Sequence, residues 1–544
     1  VDRVLVIGID GLGPHLLEIL VRRGVFPNIK ELRARGAWGE LRSTLPPVTA
    51  PAWATFATGV NPGKHGIYDF ALPRESLLNV TAVNSREIAV KTFYELLEER
   101  GRKCILVNLP LSWPPLVRGP VITGLMTRGG SPVFPRDLVD RIPRLKDYRL
   151  VPSVPGGEDL SSYEADYVND IRDLEKVRFE CARELLKLDW DFFFLLFSGS
   201  DWLSHYRYHR LIEGTEEREV LLFFRELDDY VGELTAAAGE GVGVFLLSDH
   251  GFRVRHGVFH VNAWLSREGW LKRTSSRRMV RESHAFVERP GGKAGRTIDL
   301  TRFSFLLDVP VVSSLLRKVY GGVKRLLPVS VALREAVDPP RTAAFSPTHE
   351  SWGVYVNCSD RFVDGFVDGR SRDSLVEEIR ERLRALEEES SGKRVLEEVF
   401  LKEELYHGGE LDKAPDLLLV PARDWSMSAD LVSRDPLSSA EGNDHDVEGI
   451  FIAWGPDIIE GKRVKDLRME DVAPTLLHVL GGPLYAYMDG RVREDLFRED
   501  SAAKGREHRF IEDTSSFLRP GPESTGEREL VRKRIRDLKR EGRL

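Results

Sequence analysis

Val4-Leu5-Val6-Ile7-Gly8-Ile9-Asp10-Gly11 places six apolar or glycine positions ahead of an acidic residue and a second glycine. Such a run is apolar at every step instead of every second step. It therefore predicts a strand buried on both faces, as in a parallel sheet covered by helices. Asp10 then leaves the strand at its carboxyl end, where open α/β sheets hold their ligands, and Gly11 lets the backbone turn sharply. Runs of the same kind recur at residues 103–108, 192–197, 242–247, 416–420 and 449–454. Between them, residues 86–100, 174–188 and 375–388 carry apolar side chains near a 3.6-residue period and predict helices. The expected class is α/β, with a mostly parallel central sheet flanked by helices.

Three stretches interrupt the alternation, at about 112–170, 263–342 and 422–442, and are expected to lie as insertions over the carboxyl edge of the sheet. The expected division is a catalytic core made of residues 1–262 and 343–500, a cap insertion at 263–342 and a charged tail at 501–544. Within the cap, residues 309–333 mix apolar side chains with Arg317, Lys318, Lys324 and Arg325, a pattern that suits a cap helix better than a contact with an anionic membrane surface.

The 544 residues include 86 acidic and 79 basic ones, a net charge of −7 that argues against nucleic-acid binding over the whole surface. Cys104, Cys181 and Cys358 are widely spaced and suggest neither a disulfide framework nor a thiolate metal knuckle. No secretory signal or membrane-spanning run is evident, so the expected location is cytoplasmic. Glutamine is absent and charged residues abound, a bias that leans towards a thermophilic source.

Further acidic and imidazole groups gather at predicted strand ends. Asp201 and His205 follow the 192–197 run with a spacing of four, and Asp249 and His250 follow the 242–247 run in Ser-Asp-His-Gly-Phe. His445, in Asn-Asp-His-Asp, precedes the last strand. Taken singly, each is more simply a cap or a hydrogen-bonded core residue. Six of them on one sheet edge point instead to metal ligation, and mixed Asp and His donors suit zinc best, with manganese or iron as alternatives. Thr49 sits at an N-cap position, with Pro51 in the first turn and a small-residue helix running to Gly59. By itself it reads as a capping threonine. Beside a metal, its hydroxyl becomes a candidate nucleophile at a positive helix end. His65 reads as structural, and His256 and His260 are left outside the site because they could equally bond backbone groups in their loop.

Ile-Asp10-Gly, the Thr49 segment running into Thr58-Gly59-Val-Asn-Pro62-Gly-Lys-His65-Gly66-Ile67, Asp201 with His205, Ser-Asp249-His250-Gly and His445 occur in this order. That order resembles the type I phosphodiesterase and nucleotide pyrophosphatase family, within the alkaline phosphatase superfamily. The likeness covers residues 1 to about 500, including Asp471-Val-Ala-Pro-Thr-Leu-Leu and Asp489-Gly490-Arg491. The resemblance implies an alkaline phosphatase-like fold and two divalent metal ions, one held by Asp10, Thr49, Asp249 and His250, the other by Asp201, His205 and His445. It also implies that Thr49 attacks phosphorus and forms a phosphothreonine, and that the partner is a small phosphate ester such as a nucleotide or lipid head group. One departure stands out: these enzymes place an asparagine shortly after the His-Gly-Ile turn, where this chain has Tyr68-Asp69-Phe70. An aspartate there would repel a phosphate oxygen unless turned away, protonated or bound to a cation. The alternatives are a phosphomonoesterase or phosphate-transferring mutase of the same superfamily, and a non-catalytic, metal-stabilised binding or membrane-surface module.

Overall fold

The computed structural model of the chain describes residues 2–154, 164–216, 218–274, 336–348, 351–512 and 517–519, with the backbone of two-residue strands at 298–299 and 331–332. The strands and helices that position the site are β1 (Arg3–Ile9), β2 (Ala37–Arg42), α1 (Thr49–Thr58), β3 (Cys104–Val107), α2 (Glu164–Leu185), β4 (Phe192–Phe197), α3 (Gly199–Glu213), β5 (Val242–Leu247), β6 (Gly251–His260), β7 (Leu437–Asp446) and β8 (Glu448–Trp454).

A ten-stranded sheet forms the centre, with β2, β8, β5, β1, β4 and β3 side by side in that order. β1 pairs in parallel with both β4 and β5, and β3 in parallel with β4, whereas β8 runs antiparallel to its neighbours β5 and β2. The expected α/β class and mostly parallel centre are present. Alternate residues of each strand feed two apolar layers. Val4, Val6, Phe192, Phe194 and Phe245 pack on one face with Trp53, Phe56 and Leu476. Leu5, Ile7, Ile9, Phe193, Leu195 and Leu246 pack on the other with Ile171 and Phe224. Burial on both faces explains why these strands lack polar alternation.

The predicted boundaries differ where local chemistry intervenes. Only Phe93–Glu98 of the 86–100 segment is α-helical, because Thr92 and Glu95 form a capping box that starts the helix there. Residues 416–420 do form a strand, Leu417–Pro421, but it belongs to a separate four-stranded antiparallel sheet that builds a third core with Phe259, Trp264, Tyr355 and Ile379. The 112–170 insertion supplies Val121–Ile122 and Val133–Phe134, which extend the edge of the central sheet. The 422–442 insertion supplies strands on both sides of β6. Part of the expected tail packs on the core: Ala503 and Phe517 are buried, and Arg519 donates to the carbonyls of Ser85 and Ile88. Most of the 309–333 stretch and all of residues 520–544 lie outside the described residues. Among the described residues, no helix is long and apolar enough to cross a membrane, and the three cysteines are buried and unpaired.

Helix α1 lies directly on the sheet, and all ten of its residues are buried. Trp53 anchors it, edge-on to Phe56 and to Phe194 of β4 at 5.3 Å each. Gly8 of β1 makes this approach feasible, since a Cβ there would stand 2.8 Å from the Trp53 ring and 2.7 Å from Leu196. Replacing Trp53 with Ala is expected to lower the unfolding free energy by about 3–5 kcal/mol, as for other large-to-small aromatic core changes. A clear fall in the urea midpoint checks this.

Candidate metal centre

The carboxyl ends of β1, β4 and β5 deliver three carboxylates to one place. Asp10 follows β1 directly and is 4 % exposed. Gly11, at φ +71°, turns the chain away immediately, and a side chain there would strike Phe252 and the Asp201 backbone. Asp201 lies in the first turn of α3, with His205 one turn further on. Asp249 and His250 come after β5 and Ser248, and both are fully buried. His445 comes from β7, opposite Phe252 of β6. Six of the seven expected ligands therefore meet, and the seventh, Thr49, stands at the start of α1.

Their nitrogens and oxygens face inward. His250 Nε2 lies 3.6 Å from Asp10 Oδ1, 3.5 Å from Asp249 Oδ2 and 3.9 Å from Asp201 Oδ1. Asp201 Oδ1 is 3.5 Å from Nε2 of both His205 and His445, and those two nitrogens are 3.2 Å apart. The His250 and His445 rings stack at 3.8 Å. Two ligand groups emerge, Asp10 with Asp249 and His250, and Asp201 with His250 and His445. His250 belongs to both, a sharing that the sequence pattern did not assign.

The remaining bonds set the tautomers. His250 Nδ1 lies 3.1 Å from the Gly251 carbonyl and His445 Nδ1 lies 3.0 Å from the Pro47 carbonyl. A carbonyl only accepts, so Nδ1 carries the proton in each ring, and the Nε2 lone pair of each neutral imidazole points into the cluster. Asp10 Oδ1, Asp201 Oδ1, Asp249 Oδ2 and His250 Nε2 are buried with no hydrogen-bond donor. Buried polar atoms are seldom left so, and here four converge. Burial, and then the charges of Asp249 and Asp201, hold the Asp10 carboxyl well above the ordinary aspartate range. Burial pushes the His250 imidazole down. Burial would raise Asp201 too, but attraction to His205, His445 and His250, whenever those rings are protonated, outweighs it and brings that carboxyl down. Two carboxylates within 4.8 Å repel by no less than about 3 kcal/mol at an effective dielectric constant of 20. The donor set, its burial and its surplus of lone pairs fit divalent cations.

Thr49 is the first residue of α1 and is 5 % exposed. The N-cap is Val48, not Thr49, and Val48 supplies no side-chain cap. The threonine is thus one position further into the helix than expected. Pro51 has no N–H, so Thr49 and Ala50 supply the backbone donors of the helix start. The preceding loop is held at three successive carbonyls: Tyr406 donates to Leu45, the Thr44 hydroxyl to Pro46 and His445 to Pro47. The last bond ties the Thr49 loop to the ligand cluster. Helix α3 is fixed from below by Glu175, fully buried in α2, whose Oε1 accepts from the N–H groups of Ser198 and Gly199 and from Arg178. Neither Glu175 nor Tyr406 stood out in the sequence, since a Glu and an Arg three apart on a helix usually mark a solvated face.

His65 takes the structural role expected of it. Its Nδ1 accepts from the Ile67 N–H and its Nε2 donates to Thr55 on α1, while burial pushes it down to about 3. Asp69 is buried, and its oxygens accept from the Phe70 N–H and the Thr348 hydroxyl. His256 is exposed and His260 lies at the far end of β6, so neither joins the cluster.

The family model of type I phosphodiesterase / nucleotide pyrophosphatase matches residues 4–299. Phosphonoacetate hydrolase from Sinorhizobium meliloti 1021, in complex with phosphonoacetate, shares the fold with a TM-score of 0.51 at 16 % identity, over 87 % of this chain and 94 % of that one. Murine ectonucleotide pyrophosphatase / phosphodiesterase 5 aligns with a TM-score of 0.47 at 15 % identity, over 91 % of this chain and 100 % of its own. No curated protein matches the sequence.

A carboxyl raised in the folded state contributes stability below the ordinary aspartate value, about 3.9, and loses it as pH rises through the folded value. Ionised Asp10 is therefore a cost to the metal-stripped protein at neutral pH. Stripped Asp10→Asn is expected to melt above stripped wild type at pH 7.5, with the gap closing near pH 4, and to gain less from added Zn2+. Calorimetric melts with and without chelator check both halves.

Proposed function

This chain belongs to the type I phosphodiesterase / nucleotide pyrophosphatase family and is a hydrolase of phosphoric esters, and we propose that it cleaves phosphodiesters with Thr49 as nucleophile and two divalent cations as cofactors. The observation that carries the proposal is the buried set of donorless ligand atoms joined, through His445 and Pro47, to the loop that presents Thr49. Asp10, Asp249 and His250, with Thr49, would hold one cation, and Asp201, His205 and His445 the other. Such ions, with Zn2+ favoured by the donor set, lower the pKa of a bound hydroxyl and neutralise phosphoryl oxygens.

The chain's own groups do the rest. The N–H groups of Thr49 and Ala50, at the positive end of α1, bind a phosphoryl oxygen. The Thr49 oxygen forms a bond to phosphorus as the bond to the leaving alkoxide breaks, giving a phosphothreonine and, after proton uptake, an alcohol. Water then attacks the same phosphorus, releasing the monoester and restoring the threonine. The three side-chain bonds to the Leu45, Pro46 and Pro47 carbonyls hold the backbone that leads into Thr49.

A diester leaves one negative charge on phosphorus, and a monoester two. No arginine lies next to Thr49 in the sequence, and Asp69 adds negative charge to the region after the His-Gly-Ile turn, which favours the singly charged substrate. The substrate class proposed is a small diester, with the leaving group selected by the segments over the sheet edge. As part of the same reading, residues 1–262 and 343–500 are the catalytic unit and 263–342 its cap.

Metal-refilled protein is expected to hydrolyse bis(p-nitrophenyl) phosphate faster than p-nitrophenyl phosphate, and Thr49→Ala to lower kcat/KM by about 10³-fold or more. Thr49→Ser should retain measurable turnover. Preference for the monoester would move the protein to the phosphatase reading. Full activity in Thr49→Ala would remove the nucleophile assignment.

A further inference from the structure

Three adjacent strands bring a serine, a histidine and an aspartate together far from the metal cluster. β6 runs from the cluster to His260, and β7 pairs with it so that Ser438 stands opposite Val258. His260, two residues beyond Val258, is on the same face and is the diagonal neighbour of Ser438. On the other side of β6, Trp425–Ser428 pairs in parallel, with Ser428 opposite His260, and the turn after it carries Asp430. His260 Nε2 lies 2.9 Å from Ser438 Oγ, and His260 Nδ1 lies 2.7 Å from Asp430 Oδ2.

Asp430 is built to stay ionised and still. Its Oδ1 accepts from the N–H groups of Val432 and Ser433, and its Oδ2 from the hydroxyls of Ser428 and Ser433 besides His260. The turn is pinned further by Asn262, which donates to the Ala429 carbonyl, and by Arg273, which donates to those of Leu431 and Ser433. A carboxylate held this way fixes the proton of His260 on Nδ1. Nε2 is then the acceptor, and the Ser438 hydroxyl must be the donor. This is the tautomer and connectivity of a nucleophile, its general base and the group that orients the base. Ser438 is half-buried, so a small reagent can reach it. Seven residues of extended strand separate Ser438 from His445, about 23 Å at 3.3 Å per residue, so the two sites are distinct.

We propose that Ser438, His260 and Asp430 form a second nucleophilic site that hydrolyses small carboxylic esters. The Ser438 oxygen bonds to the ester carbonyl carbon as its proton passes to His260 Nε2. The carbon–oxygen bond to the leaving group then breaks, and the departing alcohol takes that proton. Water attacks the acyl-serine, giving its proton to His260, and the carboxylic acid leaves as Ser438 regains a proton. The exposed Val432 side chain, next to the Asp430 turn, favours an uncharged, apolar acyl group.

The test uses full-length, metal-loaded protein carrying Thr49→Ala, so that threonine chemistry does not contribute. p-Nitrophenyl acetate hydrolysis is measured, and diisopropyl fluorophosphate labelling is located by peptide mass. The expected result is label on Ser438, with His260→Ala lowering both rates by about 100-fold or more. Asp430→Asn should lower them as well, through the wrong tautomer. Ser438→Ala loses only one hydroxyl and guards against misfolding: added to Thr49→Ala it should abolish ester hydrolysis, and in protein that keeps Thr49 it should leave phosphodiester turnover unchanged. No label on Ser438, or ester hydrolysis equal in the Ser438→Ala protein, overturns the proposal.

Discussion

Everything at the sheet edge depends on one electrostatic constraint: a buried imidazole lone pair, on His250, is turned towards three carboxylate oxygens. With the carboxylates ionised, no hydrogen bond can satisfy that arrangement from within, because each atom is an acceptor and the Nδ1 proton is already given to the Gly251 carbonyl. In water such groups would separate. Here the parallel strands prevent it, since Asp10 and Asp249 sit just past neighbouring strands and Asp201 begins the helix after a third. A divalent cation would satisfy these acceptors together, and cations are what this chemistry accepts.

The scaffold keeps those acceptors in place by burying unusual support. Glu175 and Arg178 form an ion pair with almost no exposure, and Glu175 also takes the first N–H groups of the helix that carries Asp201 and His205. Breaking one partner of such a pair leaves the other charged and buried, so the two act as a unit. On the other side, Trp53 seats the Thr49 helix on β1 and β4, while His445 reaches from β7 to the Pro47 carbonyl. The proposed nucleophile and the candidate ligands therefore share supports.

Much of this was legible from residue order. Strands buried on both faces announce themselves as unbroken apolar runs, and 192–197 and 242–247 became strands with those bounds. The clustering of these carboxylates and imidazoles was legible because a parallel sheet gathers at one edge the residues just beyond its strands. The run at 416–420 reads identically, yet it pairs elsewhere, since burial on both faces does not say which sheet does the burying. The sharing of His250 between two ligand groups depends on ring orientation, which spacing does not encode. The same holds for Glu175, whose partners lie 23 and 24 residues away, and for His260, which the sequence left outside the site. Thr49 was found by its segment, but Val48 takes the cap because its backbone is extended at the helix start.

The central claim is that the acceptor cluster exists to hold cations, and counting them tests it most directly. Protein loaded with Zn2+, dialysed and assayed by elemental mass spectrometry should carry two ions per chain, and folded His250→Ala should carry fewer. A folded wild-type protein that retains none, or a His250→Ala variant that retains both, would contradict the account.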